Sequence, residues 1–262
     1  MNWKSAEKVL FCSLFLFVCL QLAGEEKGTG GLFARRIDVP YAPRVPHKAD
    51  FTLPVWKKTP RHPLLLFPRT VDEIHRYPRE RGSVQFLYDE NFFYAAFTLT
   101  DSDIVTESTA HHRHHYQYGD VVELFLKSDK APCFWEIYGT PNSLMTCFFY
   151  PSRSHSGLAG YPEVIRETKI RAAARIRGTL NKVFDKDRGY QVLLIVPLRE
   201  LEKKGVPFKD SSHWRVAVGR YNYALDFPEL EFSCFPQLEG VFCDTERFAR
   251  MRLLPPQQEK RK

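Results

Sequence analysis

Polar and apolar positions in this chain alternate with period two over most of its length, and helical spacing is nearly absent. Val84–Leu87 and Phe92–Thr100 are β-prone runs separated by Tyr88, Asp89, Glu90 and Asn91, which predicts a hairpin. Val121–Leu126 puts Val122, Leu124 and Leu126 on one face and Val121, Glu123 and Phe125 on the other. A carboxylate on an apolar strand is costly to bury, so Glu123 is expected to face solvent or a polar cavity. Phe134–Tyr138 and Leu144–Tyr150 predict a second hairpin across Gly139–Ser143. Val164–Ile176 alternates charge with Ile and Ala, as one strand with a wet face would. Tyr190–Val196 is a continuous apolar run, the pattern of a fully buried strand. Leu198–Lys204 predicts one or two helical turns closed by Gly205. Trp214–Tyr223 and Met251–Leu254 complete the set. Eight or more short strands with one short helix predict an all-β fold, an antiparallel β-sandwich of the immunoglobulin-like or jelly-roll type.

The flanks differ in kind. Lys4 and Lys8, the apolar run Val9–Leu20 and the segment Gln21, Leu22, Ala23, Gly24 predict a cleaved signal peptide over residues 1–24, too short to span a bilayer. Residues 25–35 are glycine-rich and charged, a flexible leader, and 256–262 read as a frayed tail. The sandwich is expected over 36–255. Within it, Ile37–Pro68 is dense in proline and is expected to wrap the sandwich edge with Trp56 packed inward. The long loop Pro151–Pro162, with Tyr161, is of a length that often carries function.

Charge narrows the partners. The formal net charge is +7, but lysines and arginines are dispersed apart from Arg166, Lys169, Arg171, Arg175 and Arg177 and the terminal Lys260, Arg261 and Lys262. A nucleic-acid binder concentrates charge on one face, so no nucleic-acid partner is expected, and no second apolar stretch of spanning length follows the leader. The arginine series suits the solvent face of a strand pair, with affinity for anionic glycans as the sharper reading. Four cysteines lie outside the leader: Cys133, Cys147, Cys234 and Cys243. In an exported chain an even count favours disulfides, and four cysteines allow three pairings. The spacing of Cys133 and Cys147 about a turn suits a cross-strand pair, which leaves Cys234 with Cys243. No spacing suggests zinc.

Candidate chemistry is sparse. There is no GxSxG, HExxH, P-loop or dinucleotide fingerprint, so the chain is not expected to be an enzyme. Asp101, Asp103, Asp120 and Glu123 could converge for glycoside cleavage, but acids beside strand ends more often hold a cation or a sugar hydroxyl. His111, His112, His114 and His115 read as a polar loop with incidental metal affinity. Tyr116 and Tyr118, just before Gly119–Asp120, and Phe242 near the C-terminus are the better signal. Aromatic faces receive the C–H faces of pyranose rings while neighbouring carboxylates accept hydroxyl hydrogen bonds.

The run Tyr88-Asp89-Glu90-Asn91-Phe92-Phe93-Tyr94, then Asp101, then Asp120-Val121-Val122-Glu123-Leu124-Phe125-Leu126, resembles the family 9 carbohydrate-binding modules and their relatives. Trp56 and the segment Asp244–Leu253 extend the resemblance over nearly the whole mature chain. It implies a β-sandwich that binds sugars between two tryptophan faces, neither of which is tryptophan in this sequence, and can carry structural calcium, for which Asp101 and Asp103 are the candidates. By position the stacking residues fall at Gln117, between Tyr116 and Tyr118, and at Phe242. The family glutamate is Glu123, and a sugar-contacting arginine falls at Glu136, which reverses its charge. The implied site is thus Tyr116, Gln117, Tyr118, Asp120, Glu123, Glu136 and Phe242. The implied role is an exported, non-catalytic binder of a polysaccharide or oligosaccharide, secreted, periplasmic or at the cell surface. The alternative is an interaction module accompanying glycan-degrading enzymes without sugar contact of its own.

Overall fold

The structure, a computed structural model, describes residues 36–153, 162–208 and 214–256. The expected signal peptide, the leader, Tyr161 and the tail from 257 onward lie outside the described residues. Among the described residues the strands are β1 (Arg36–Val39), β2 (His62–Pro63), β3 (Leu65–Leu66), β4 (Gly82–Tyr88), β5 (Phe92–Leu99), β6 (Val121–Ser128), β7 (Phe134–Gly139), β8 (Met145–Tyr150), β9 (Glu163–Val164), β10 (Arg171–Ile176), β11 (Tyr190–Pro197), β12 (Trp214–Asn222), β13 (Glu231–Phe235) and β14 (Ala249–Leu253). Two short helices, α1 (Pro54–Lys57) and α2 (Leu198–Glu202), join them. No helix among the described residues is long and apolar enough to cross a membrane.

The strands form two sheets packed face to face. The larger runs β1-β14-β12-β6-β7-β8-β9, with β13 on the remaining half of β12 and β3 on β13. The smaller runs β10-β11-β5-β4-β2. All ladders are antiparallel except β1 with β14. Val122, Leu124 and Leu126 of the larger sheet meet Phe93, Ala95, Phe97, Val192 and Leu194 of the smaller in one core. The fold is therefore the expected antiparallel β-sandwich.

Each sheet also buries part of its outer face, which explains apolar runs without alternation. On the smaller sheet, Leu87, Tyr94, Ala96, Leu193 and Ile195 are covered by Ala42, Val45, Ala49, Phe51 and Trp56. The proline-dense segment thus wraps the sandwich edge as expected, supplying the end strands β1 and β2, and between them lies across the outer face of the smaller sheet. Proline fixes φ and removes amide donors, so the stretch between β1 and β2 packs by side chains, and the pairing on either side of it is confined to short edge strands. Gln85, also on that face, donates to the carbonyls of Trp56 and Thr59 at 2.7 and 2.9 Å and holds the cover down.

Two expectations are corrected. Val164–Ile176 is not one strand: β9 pairs with β8 in the larger sheet, whereas β10 pairs with β11 in the smaller. Between them the Thr168 hydroxyl accepts the Ile170 amide at 3.1 Å, a local turn that lets the chain change sheets without breaking its alternation. The expected Cys133–Cys147 bridge is excluded by register. Cys147 faces Ile137, while Phe134, the residue after Cys133, already faces Tyr150. Cys234 and Cys243 likewise form no disulfide, and the Cys234 sulfur accepts the Leu238 amide at 3.3 Å.

The segment between β5 and β6 is held by close backbone contact. Gly119, at φ +135°, bridges Thr106, and a Cβ there would meet the Val105 carbonyl oxygen at 2.4 Å. Gly119→Ala is expected to cost about 1–3 kcal/mol, the range for a strained non-glycine backbone. Urea denaturation checks this; unchanged stability would contradict the close approach.

Candidate ligand-binding face

The outer face of the larger sheet is a grid set by strand register. One cross-strand row reads Cys234, Gly219, Glu123, Tyr138, Thr146; the next reads Ala217, Phe125, Glu136, Phe148, Val164. Period two puts all of these on one side of the sheet. Two carboxylates, Glu123 and Glu136, therefore stand on adjacent strands within an otherwise apolar and aromatic surface. Glu136 accepts the Tyr138 hydroxyl at 2.5 Å and the Tyr150 hydroxyl at 2.6 Å. Glu123 is 1% exposed, and its Oε1 has no hydrogen-bond partner.

Aromatic rings rim this floor. Tyr116, on the short turn His115–Gln117, stacks on Tyr221 with centroids 5.4 Å apart and meets Tyr138 edge-on at 6.3 Å. Phe242, from the loop between β13 and β14, packs against Phe67 at 4.6 Å and Tyr221 at 5.7 Å. Gly219 lets that ring descend: a Cβ there would lie 3.1 Å from Phe242 and 3.3 Å from Oε2 of Glu123. The rings and the carboxylate meet because a strand-interior glycine removes the side chain between them.

Burial raises the Glu123 pKa well above the usual carboxylate range, and the charge of Glu136 adds to the rise. Burial also raises Glu136, against the opposing pull of its two tyrosine hydroxyls. A folded pKa above the unfolded value stabilises fully below the unfolded value, 4.5 for Glu123, and that contribution is lost as pH rises through the folded one. Wild-type stability is expected to fall between pH 5 and 8 from this source, and Glu123→Gln to flatten the slope. Melting curves across that range check it; superimposable pH profiles would contradict it.

The remaining candidates lie elsewhere. Gln117 is exposed and Tyr118 half-buried. The Tyr118 ring receives the Arg113 guanidinium at 5.7 Å and is not among the rim rings. Asp120 is wholly buried and is not on the face: its carboxylate accepts the Val105 amide at 2.9 Å and the Tyr223 amide at 2.8 Å, tying two loops together. Asp101 accepts from Arg220 at 2.9 Å, and Asp103 accepts the Leu225 amide at 2.8 Å. A guanidinium already balances Asp101, and no group of three or more His, Cys, Asp or Glu gathers among the described residues. These residues do not fit a calcium ion.

Three of the four histidines are taken up locally, while the buried Nδ1 of His112 has no hydrogen-bond partner. His115 is fully buried, its Nδ1 2.7 Å from the Ser108 hydroxyl, and burial lowers its pKa to about 4. His111 accepts the Met145 amide at 3.1 Å, and His114 stacks on Phe148 at 4.8 Å. Tyr138, Tyr150, Gly219 and Tyr221 were missed by sequence reasoning, although a glycine inside an apolar strand was a usable sign.

The fold is similar to that of the family 9 carbohydrate-binding modules. A proposed carbohydrate-binding protein from Bacteroides uniformis superimposes with a TM-score of 0.61 over 84% of this chain and 99% of its own, at 8% identity. A family 9 module from Caldicellulosiruptor kristjanssonii, solved with cellotriose, gives 0.54 over 86% and 96% at 10% identity. One from the same organism with glucose gives 0.53 over 87% and 100% at 11% identity. No family profile and no curated protein matches the chain. The likeness is one of fold.

Proposed function

We propose that the protein is a non-catalytic carbohydrate-binding protein whose ligand face is the outer side of the larger sheet, between Tyr116 and Phe242 over Glu123 and Glu136. The observation that carries this reading is the Phe242 ring set beside the Glu123 carboxylate across Gly219, with Oε1 of Glu123 buried and unpartnered. A buried acceptor without a partner is costly, and a sugar hydroxyl is a donor of the right size to satisfy it. The rings supply stacking surface for the apolar side of the same sugar. The related folds solved with cellotriose and glucose support a β-linked glucan or its units as first ligands to test. Because Glu123 is almost wholly covered, the Phe242 loop has to move aside for a sugar to reach it. The expected signal peptide puts the binding outside the cytoplasm, secreted, periplasmic or at the surface.

A second reading draws on the closure of the face. Glu136 is already satisfied by two tyrosine hydroxyls, and the rim rings pack on one another. On that reading the sandwich is an interaction module beside glycan-degrading enzymes. A glycan array followed by calorimetry separates the two: a sugar bound by wild type and lost in Phe242→Ala supports the first, and no sugar bound leaves the second.

A further inference from the structure

We infer a second binding site, for an acidic sugar unit, on the opposite side of the sandwich from the Phe242 face. A cavity of about 430 Å³ opens where β5 begins and β11 ends, with Asn91, Phe92, Lys169, Arg171, Arg199 and Glu200 in its wall. Phe92 belongs to the apolar cluster on the outer face of the smaller sheet, whereas Phe242 belongs to the cluster on the outer face of the larger. This proposal therefore stands independently of the function proposed above.

Three cations line the cavity without an acidic partner. Among the described residues no ion pair engages Lys169, Arg171 or Arg199, although Arg175 on the same strand lies 3.9 Å from Asp50. The one carboxylate in the wall, Glu200, is 5% exposed and matched by Lys203 at 2.9 Å. The cavity thus keeps an excess of positive charge at its mouth, which attracts a carboxylate or sulfate more than a neutral sugar. Arginine is suited to this, since its planar fork meets such groups with two parallel N–H donors.

The geometry of the wall is fixed by a relay. Arg171 donates to Nδ1 of His47 at 2.6 Å, so Nε2 carries the proton towards the Tyr94 hydroxyl, 3.0 Å away. Tyr94 in turn donates to Asp89 at 2.6 Å. The other oxygen of Asp89 accepts the amides of Asn91 and Phe92 at 2.7 and 2.8 Å, which shapes the turn that presents them. His47 also meets the Phe92 ring edge-on, centroids 4.7 Å apart. One buried carboxylate therefore sets both an arginine and a half-exposed aromatic ring at the same cavity. A charged fork beside an aromatic face is what a uronate or a sulfated pyranose requires, the ring stacking and the anion paired. This gives Lys169 and Arg171, two members of the exposed basic series, a role that solvation alone does not supply.

Calorimetry on the full chain tests this with two probes, an oligogalacturonate and a heparin hexasaccharide, against sodium sulfate and cellotriose. The expected result is binding of at least one acidic probe, falling at least tenfold in Arg171→Gln/Arg199→Gln and weakening as salt rises from 50 to about 300 mM. Phe242→Ala should leave it unchanged. Melting curves show whether the double variant keeps its fold, and Lys169→Ala, which removes a cavity cation that makes no hydrogen bond in the relay, serves as a second variant with a severalfold loss. Four results overturn the proposal: no binding by either acidic probe, equal affinity in all cavity variants, loss in Phe242→Ala instead, or sulfate ion alone binding as tightly as the oligosaccharides.

Discussion

Replacing Arg220 by methionine is expected to lower folding stability by about 3–5 kcal/mol, the cost of stranding a buried charge when its partner is removed. Arg220 is fully buried near the end of β12. Its Nη2 donates to the Thr100 carbonyl, Asp101 and Asn222 at 2.9, 2.9 and 2.8 Å, and its Nη1 donates to the Glu80 carbonyl at 3.1 Å. Arg220 thereby joins β12 of one sheet to the ends of β4 and β5 of the other. Burial raises the Asp101 pKa to about 6 although Arg220 pulls it down. Without Arg220 the carboxyl would take up a proton at neutral pH, so Asp101→Asn in the same chain should recover part of the loss. Urea denaturation of both variants measures this. An Arg220→Met chain as stable as wild type would show that the ion pair contributes nothing beyond what an apolar side chain supplies.

The second large effect is on ligand binding. Phe242→Ala is expected to weaken sugar affinity by about 1–3 kcal/mol, the range for losing an aromatic stacking platform, or roughly fivefold to 150-fold. For a ligand held at a millimolar to micromolar dissociation constant, about −4 to −8 kcal/mol, such a loss carries binding to the edge of detection. The change is separable from folding because Phe242 is half-buried in a loop outside the core between the sheets. Tyr118→Ala should have little effect, since its ring sits on Arg113 away from the rim. Calorimetry with the best sugar from the array checks both. A Tyr118→Ala chain that loses binding while Phe242→Ala keeps it would place the site on the loop instead of the sheet face.

The strands of the two central hairpins were legible because turn residues bracket runs of uniform β propensity, and β4–β5 and β7–β8 follow them closely. The change of sheet within 164–176 was not, since alternation reports which way a side chain points and not which neighbour the strand pairs with. β1, β2, β3 and β13 were missed; none of these runs is long enough to stand out from its flanks. Glu123 and Phe242 were singled out by their setting, a carboxylate on an apolar strand and an aromatic in a polar loop, although Glu123, expected to face solvent or a polar cavity, is 1% exposed beneath an apolar and aromatic cluster. Asp120 was drawn in by its neighbours, yet its carboxylate serves backbone amides, which sequence cannot distinguish from a ligand. The disulfides failed for a similar reason: spacing about a turn sets loop length, but register decides which residues face each other.

Titrating isotope-labelled protein with the best sugar from the array, and following backbone amide shifts, tests the central claim most directly. The proposed face predicts that Tyr116, Glu123, Tyr138, Gly219 and Phe242 move together and saturate together, while Phe92 and Arg171 stay still. Shifts confined to other surfaces, or none with any sugar on the array, would contradict it.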